Sequence, residues 1–409
     1  MTFWNPNQPR RTVRRRRSRT RHLRRVAMCS IALASVWLIM SISPAVLGAR
    51  PNEEVRGTRS GTSPTGKSEG ARALSKAWGY TASDEPQDVL VDGATAFLLG
   101  SRSLTALDTS NGDEHWRVTL DAPNPWWTVG RDAVIVSTAT GFVALERDSG
   151  ETRWRASANE FAGAVSLLHP RDSTPAALVA TQDGGLAALN LKTGTTLWAR
   201  RLPGRLRGLV VVDDANANIA LVTEGATTRV QMIDAQNGVT LWEAEATDRT
   251  STPVFAEDSV VLGMAQDEIG GEVRAYRVSD GKQLWSSPTV GAFQPGLVPV
   301  LAGGHIYVVD ELGQVMRIDP STGARVWRRS LGEAVLISRP VIMGKVVVLT
   351  DYAREVVIVD RRTGKIRSRW AAGAVPVGVA AAKGLVLVAQ RLVRTDQLSA
   401  YRTKDLKPT

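Results

Sequence analysis

The stretch VMRIDPSTGARVW, from Val315 to Trp327, decides the fold. A short apolar run ends in an acid, a turn closes on Gly323, and Trp327 follows after three residues. The frame recurs upstream as LTALDTSNGDEHW from Leu104, FVALERDSGETRW from Phe142, LAALNLKTGTTLW from Leu186, VQMIDAQNGVTLW from Val230 and VRAYRVSDGKQLW from Val273. Downstream, VVIVDRRTGKIRSRW from Val356 carries two extra residues before Trp370, and LSAY, from Leu398 to Tyr401, begins the frame without reaching a Gly or a Trp. Trp78 stands alone ahead of the array. The series Trp78, Trp116, Trp154, Trp198, Trp242, Trp285, Trp327 and Trp370 has spacings of 38, 38, 44, 44, 43, 42 and 43 residues. Self-similarity at such a period is a repeat architecture, and it overrides a domain count taken from the 409-residue length.

One period reads as four short strands. Thr252 to Phe255 is an apolar run, Glu257-Asp258 a turn, Ser259 to Met264 (SVVLGM) a second strand, Val273 to Tyr276 a third, and Gln283 to Trp285 opens a fourth. No stretch keeps the 3.6-residue periodicity that a helical solenoid needs. Four strands per repeat of about 42 residues match a propeller blade. The pairs Pro253-Val254, Pro299-Val300, Pro340-Val341 and Pro376-Val377 fall on the first strand of their units. Proline cannot donate to a ladder, so it belongs at a strand start or on an edge, and the first strand of a blade is the edge that lines the channel.

The turn glycines, Gly112, Gly150, Gly194, Gly238, Gly281, Gly323 and Gly364, supply positive φ between the third and fourth strands. Asp108, Asp234, Asp319 and Asp360 precede them, but Glu146, Asn190, Arg277 and Arg402 take the same place. A carboxylate is therefore dispensable there, which points to turn capping and away from catalysis. The tryptophans fall on the fourth strand, where eight of them form a girdle of wedges between blades, each burying about 150–250 Å². Trp370 ends the seventh full unit. Residues 374–402 then hold three more strands, and the strand around Trp78 completes the set. The fold class is all-β: an eight-bladed β-propeller over 74–403, its last blade closed by both chain ends, followed by a tail over 404–409. A sealed ring leaves only short edges.

Lys plus Arg total 51 against 40 Asp plus Glu, but ten of the arginines lie in residues 1–25, which hold no acid. The rest is close to neutral, so no nucleic-acid partner is expected for the propeller. The arm over 1–25 is too charged to bury a core and reads as a disordered cytoplasmic segment that sets topology; the competing reading is contact with anionic lipid or nucleic acid. Residues 26–49, VAMCSIALASVWLIMSISPAVLGA, carry no charge. As a helix they would be about 36 Å long, enough to span a bilayer core of about 30 Å. A cleaved signal peptide is the competing reading, with small residues at Val46-Leu47-Gly48 near a cleavage point. Either places the propeller outside the cytoplasm, membrane-anchored or secreted. Residues 50–73 are a Gly, Ser, Thr and Pro-rich linker. Cys29 is the only cysteine, and His22, His115, His169 and His305 lack ligand spacing, so neither a disulfide framework nor a cysteine zinc site is expected, and no metal site is assigned.

The frame ALDxxxGxxxW with its Pro-Val strands closely resembles the PQQ-like, quinoprotein-type β-propeller repeat, over residues 78–402. The resemblance implies one of two branches. Quinone-dependent dehydrogenases hold PQQ with calcium, many against an adjacent-cysteine disulfide, beside a catalytic Asp. The non-catalytic branch is similar to BamB, a scaffold subunit of outer-membrane assembly. The single cysteine and the lack of large loop insertions look more like the scaffold branch, and the anchored form is similar to propellers of actinobacteria. No catalytic, cofactor-binding or metal residue is carried over.

In DAPNPWWT, residues 121–128, adjacent Trp126 and Trp127 point to opposite faces of a strand. One of them exposed beside proline would be a binding hot spot, whereas both lying between blades would be core. Asp183–Gly185 (DGG) reads as a hairpin turn. No HExxH, GxSxG or Walker loop is present. The function taken forward is a non-catalytic scaffold that binds other envelope proteins. The alternatives are a PQQ-binding quinoprotein and a cell-wall glycan-binding module.

Overall fold

The computed structural model describes residues 74–403 except 124, 158–161, 171–173, 182, 267–269, 294–297, 333–339, 351–353, 373 and 392–396. The expected arm, apolar segment, linker and tail, residues 1–25, 26–49, 50–73 and 404–409, lie outside the described residues. Among those described, no helix is long and apolar enough to cross a membrane.

The described residues form eight antiparallel four-stranded sheets. Blades 1 to 7 cover residues 86–119, 127–157, 162–201, 205–246, 254–289, 300–330 and 341–371, and blade 8 covers 375–402 together with 76–80. Within each of the first seven, the strands are ordered as in the chain, first strand inside and fourth outside. First strands of neighbouring blades touch around the axis, as between blades 8 and 1, 3 and 4, and 5 and 6. Pro253, Pro299 and Pro340 each sit one residue before such an inner strand, and Pro376 lies at a register shift inside the inner strand of blade 8. These are the places where a missing N–H costs least.

Burial explains the strand sequences. The second and third strands are covered on both faces by neighbouring blades, so they are continuous apolar runs such as Val346–Thr350 (VVVLT), buried throughout. Fourth strands have one solvated face and alternate, as in Glu114–Thr119 (EHWRVT), where only Trp116 is buried.

Seven of the eight fourth-strand tryptophans clamp the next blade. The Trp285 ring lies on Gly323, where an added Cβ would sit 2.5 Å from its Cε3, and its Nε1 donates to the Pro320 carbonyl at 2.8 Å. Gly323 also has φ +71°, so the residue is fixed twice: by the hairpin and by the neighbouring ring. Trp78, Trp116, Trp154, Trp198, Trp242 and Trp327 repeat the arrangement on Gly112, Gly150, Gly194, Gly238, Gly281 and Gly364. Their Nε1 atoms donate at 2.7–3.0 Å to the carbonyls of Thr109, Arg147, Leu191, Ala235, Val278 and Arg361. The turn itself closes through backbone alone: in blade 5, Gly281 N donates to Arg277 O at 3.0 Å, and Arg277 N to Lys282 O at 2.9 Å. That is why Glu146 and Arg277 serve where Asp stands elsewhere.

Seven seams carry this clamp, so the expected girdle of eight identical wedges is corrected. In blade 7, Ser368 pairs with Ile358, the register that Trp occupies in the other blades, and Trp370 is displaced two residues to pair with Val356. The reason is topological. The fourth strand of blade 8 comes from the other end of the chain, so no third-to-fourth hairpin offers a glycine there. Trp370 instead packs on Tyr401, with ring centroids 5.5 Å apart at 60°, in a cluster with Leu74. Its Nε1 is buried with no acceptor among the described residues.

Closure joins the two ends. Trp78 pairs with Ala400 and Tyr80 with Leu398. Arg402 N donates to Ser75 O at 2.8 Å, and its Nη1 to Lys76 O at 2.7 Å. Trp78 thus stitches blade 8 and clamps blade 1 at once.

Trp285→Ala should cost about 3–5 kcal/mol in denaturant unfolding. Gly323→Ala should cost at least about 2 kcal/mol in the wild type, but only the left-handed backbone penalty of about 1–2 kcal/mol once Trp285 is gone. A double-mutant cycle showing additive losses would contradict the clamp.

Candidate interaction surface

An up-and-down blade gives the ring two unlike faces. One carries the third-to-fourth turns and the first-to-second hairpins, here the turn face. The other carries the crossovers between blades and the second-to-third hairpins, here the crossover face.

Trp126 lies on the crossover between blades 1 and 2. Its backbone is held twice by Ser137: Trp126 N donates to Ser137 Oγ at 2.8 Å, and Ser137 N to Trp126 O at 2.8 Å. The side chain is 40% exposed. Trp127 opens the inner strand of blade 2, pairs with Val136, and packs half-buried on the cluster of Phe97, Leu99 and Trp116. The adjacent rings therefore take opposite sides, one outward and one inward.

Across the ring, Val290 on the crossover from blade 5 to blade 6 and Leu312 in blade 6 are both exposed. They are positioned by a residue that sequence reading passes over. Asp310 is fully buried and accepts Gly291 N at 2.9 Å from the crossover and Leu312 N at 3.1 Å and Gln314 N at 2.9 Å from the hairpin. Burial raises its pKa, and the three amide N–H groups act against that rise. The available signal is the acid that closes the apolar run HIYVVD, at the place where blades 2 and 3 have Thr138 and Thr181. The Asp183–Gly185 stretch is a hairpin between second and third strands, and Asp183 pairs with Arg201.

The outer rim has a second apolar feature. Leu197, Leu241, Leu284 and Val326, each one residue before a clamp Trp, are exposed on four consecutive blades, 3 to 6. Blades 1 and 2 have His115 and Arg153 there. The pattern is visible in the sequence as HW, RW, LW, LW, LW, VW.

Among the described residues, no three His, Cys, Asp or Glu side chains come together as metal ligands.

A family model described as outer membrane protein assembly factor BamB, of the PQQ type, matches residues 64–170, 139–294 and 270–393. The chain belongs to this PQQ-like BamB family. BamB of Burkholderia pseudomallei is 29% identical over 256 residues, which are 59% of this chain and 65% of that protein. The match thus spans slightly less than two thirds of the relative's length. The crystal structure of BamB from Moraxella catarrhalis superposes with a TM-score of 0.61 at 15% identity, covering 81% of this chain and all of that one. A europium-containing methanol dehydrogenase shares the fold, with a TM-score of 0.60 at 12% identity over 77% of this chain and 84% of that one. At such identities the structures testify to fold alone.

On the turn face, Asp360 in blade 7 has a depressed pKa. Burial acts to raise its pKa. The Arg367 guanidinium, the Thr363 hydroxyl and the turn amides outweigh this and lower it from 3.8 to about 2. The folded-state value is depressed, so the ionised form stabilises the fold above pH 3.8, and that gain is lost as pH falls through about 2. Asp360→Asn should flatten the fall of unfolding free energy over that window. An unchanged acid limb in pH-dependent denaturation would show that the pair contributes nothing.

Proposed function

We propose that the propeller is a non-catalytic scaffold that binds other proteins of the cell envelope, held at the outer side of the membrane by residues 26–49. The observation that carries it is Trp126: a large indole left exposed while its own backbone is fixed in place by Ser137. An ordered aromatic ring in solvent loses little entropy on docking and forms the centre of a typical binding hot spot. The crossover face adds Val290 and Leu312 on the far side, on a loop fixed by Asp310. Membership of the BamB family supports the reading, because that family's description is one of assembly and not of turnover. The near-neutral propeller and the arginine-rich arm divide the labour, the arm facing anionic lipid and the propeller facing protein.

Trp126→Ala should leave the unfolding midpoint within about 1 °C while weakening capture of the crosslinked partner about thirty-fold in intact cells. Unchanged capture would exclude this face. PQQ with calcium should give no saturable thermal shift, and purified wall polymer should retain no protein. A saturable response to either would transfer the function to the quinoprotein or the glycan reading.

A further inference from the structure

The repeat makes each blade a control for the others, and blade 6 departs from them at one row. The third-strand residue that pairs with the clamp Trp is Ala106, Ala144, Ala188, Met232 and Ala275 in blades 1 to 5. In blade 6 it is Arg317. The second-strand residue beside it is Phe97, Ile135, Leu178, Ala220 and Val261 in blades 1 to 5, and Tyr307 in blade 6. A guanidinium and a phenol therefore enter a seam that is otherwise apolar.

A second arginine arrives from blade 7. Arg361 stands directly after the turn acid and reaches back over the hairpin of blade 6, so close that a Cβ on Gly303 would lie 2.8 Å from its Nη2. Arg147 does the same in blade 2, reaching back to blade 1, and there it meets a counter-ion: Asp92 at 3.1 Å. The residue at the place of Asp92 in blade 6 is Ala302. Arg361 has no carboxylate partner among the described residues, and neither has Arg317. Arg317 Nη1 is 3.4 Å from the carbonyls of Arg361 and Arg362, and its Nη2 is 3.0 Å from both ring nitrogens of His305. Its Nε is buried without a partner. Asp360 is near but committed, accepting Arg367 Nε at 2.9 Å, Thr363 Oγ1 at 2.8 Å and the amides of Arg362 at 3.0 Å and Thr363 at 2.7 Å.

The phenol supplies an independent observation. Tyr307 is fully buried, and its hydroxyl has no hydrogen-bond partner. Burial raises its pKa while Arg317 and Arg361, both close enough to act on it, lower it. A buried donor left unpaired is costly, and partly buried cations without counter-ions cost more. Two fixed positive charges and an orphan hydroxyl at one seam call for an acceptor with several oxygens and about two negative charges.

We propose that the seam between blades 6 and 7 binds a phosphate-type oxyanion on the guanidinium groups of Arg317 and Arg361, with the Tyr307 hydroxyl as a further donor. The two guanidinium groups lie toward the turn face, by the Gly303 hairpin and the carbonyls of Arg361 and Arg362, away from Trp126. His305 flanks it and orients Arg317. Free phosphate and a phosphate ester offer the same chemistry.

The full chain in detergent micelles tests this by calorimetric titration with inorganic phosphate and with glycerol 3-phosphate, beside chloride at matched ionic strength. Saturable binding to one site is expected for at least one phosphate, and the tighter of the two identifies the source. Ala302→Asp restores the internal counter-ion that Asp92 gives Arg147. It should raise the melting temperature without phosphate and weaken phosphate binding at least about ten-fold. Arg317→Met, the residue of blade 4, should weaken it similarly. Phosphate behaving as chloride does, or Ala302→Asp binding as tightly as the wild type, would overturn the proposal.

Discussion

An indole ring from one blade, seated on a glycine of the next and hydrogen-bonded to that blade's turn, is the contact from which the rest of the ring follows. It explains why glycine and tryptophan recur together although they never touch within a blade. The hairpin asks for positive φ, and the neighbouring ring denies space to a side chain, so glycine answers both demands at Gly323 and its counterparts. The Nε1 bond to a carbonyl then fixes the ring's rotation, which hydrophobic contact alone would leave loose. Because the wedge joins blade to blade and not strand to strand, each sheet is held by its neighbour, and stability accrues seam by seam around the ring.

Closure is also where the rule has to fail. A clamp needs a hairpin between third and fourth strands, and blade 8 takes its fourth strand from the chain's beginning. Trp370 therefore has no glycine to sit on, shifts along its strand, and finds Tyr401. The two extra residues before Trp370 were visible in the sequence, but their meaning was not. An insertion in a linear reading becomes a displaced ring only when the register of the paired strand is known.

Much of the fold was legible because the repeat multiplies weak signals. A single Gly–Trp spacing says little, whereas seven of them, with prolines at the start of inner strands, leave few architectures open. The lone Trp78 showed how the circle seals, since an unpaired outer strand at one end matches a missing one at the other. The surface was far less legible. Trp126 and Trp127 are one residue apart, and nothing local decides which faces out; the bonds to Ser137 do. Nothing local in the sequence separates Asp310 from Asp108 or Asp319; its burial does. Those side chains cap local turns, whereas Asp310 joins two separate loops.

In a repeat protein, departures from the consensus are of two kinds. Some are forced by topology, as at Ser368 and Trp370, and carry no message beyond closure. Others are unforced: nothing in the geometry of blade 6 requires Arg317 where alanine or methionine serves in blades 1 to 5, or requires the loss of a carboxylate at Ala302 opposite Arg361. Local agreement among propensity, packing and charge is what makes a sequence fold to one structure, so an unforced breach that weakens a seam is retained for some other reason. The same reasoning separates Trp126 from the clamp tryptophans. They are buried because the ring needs them, while its indole stands in water on a backbone arranged to keep it there.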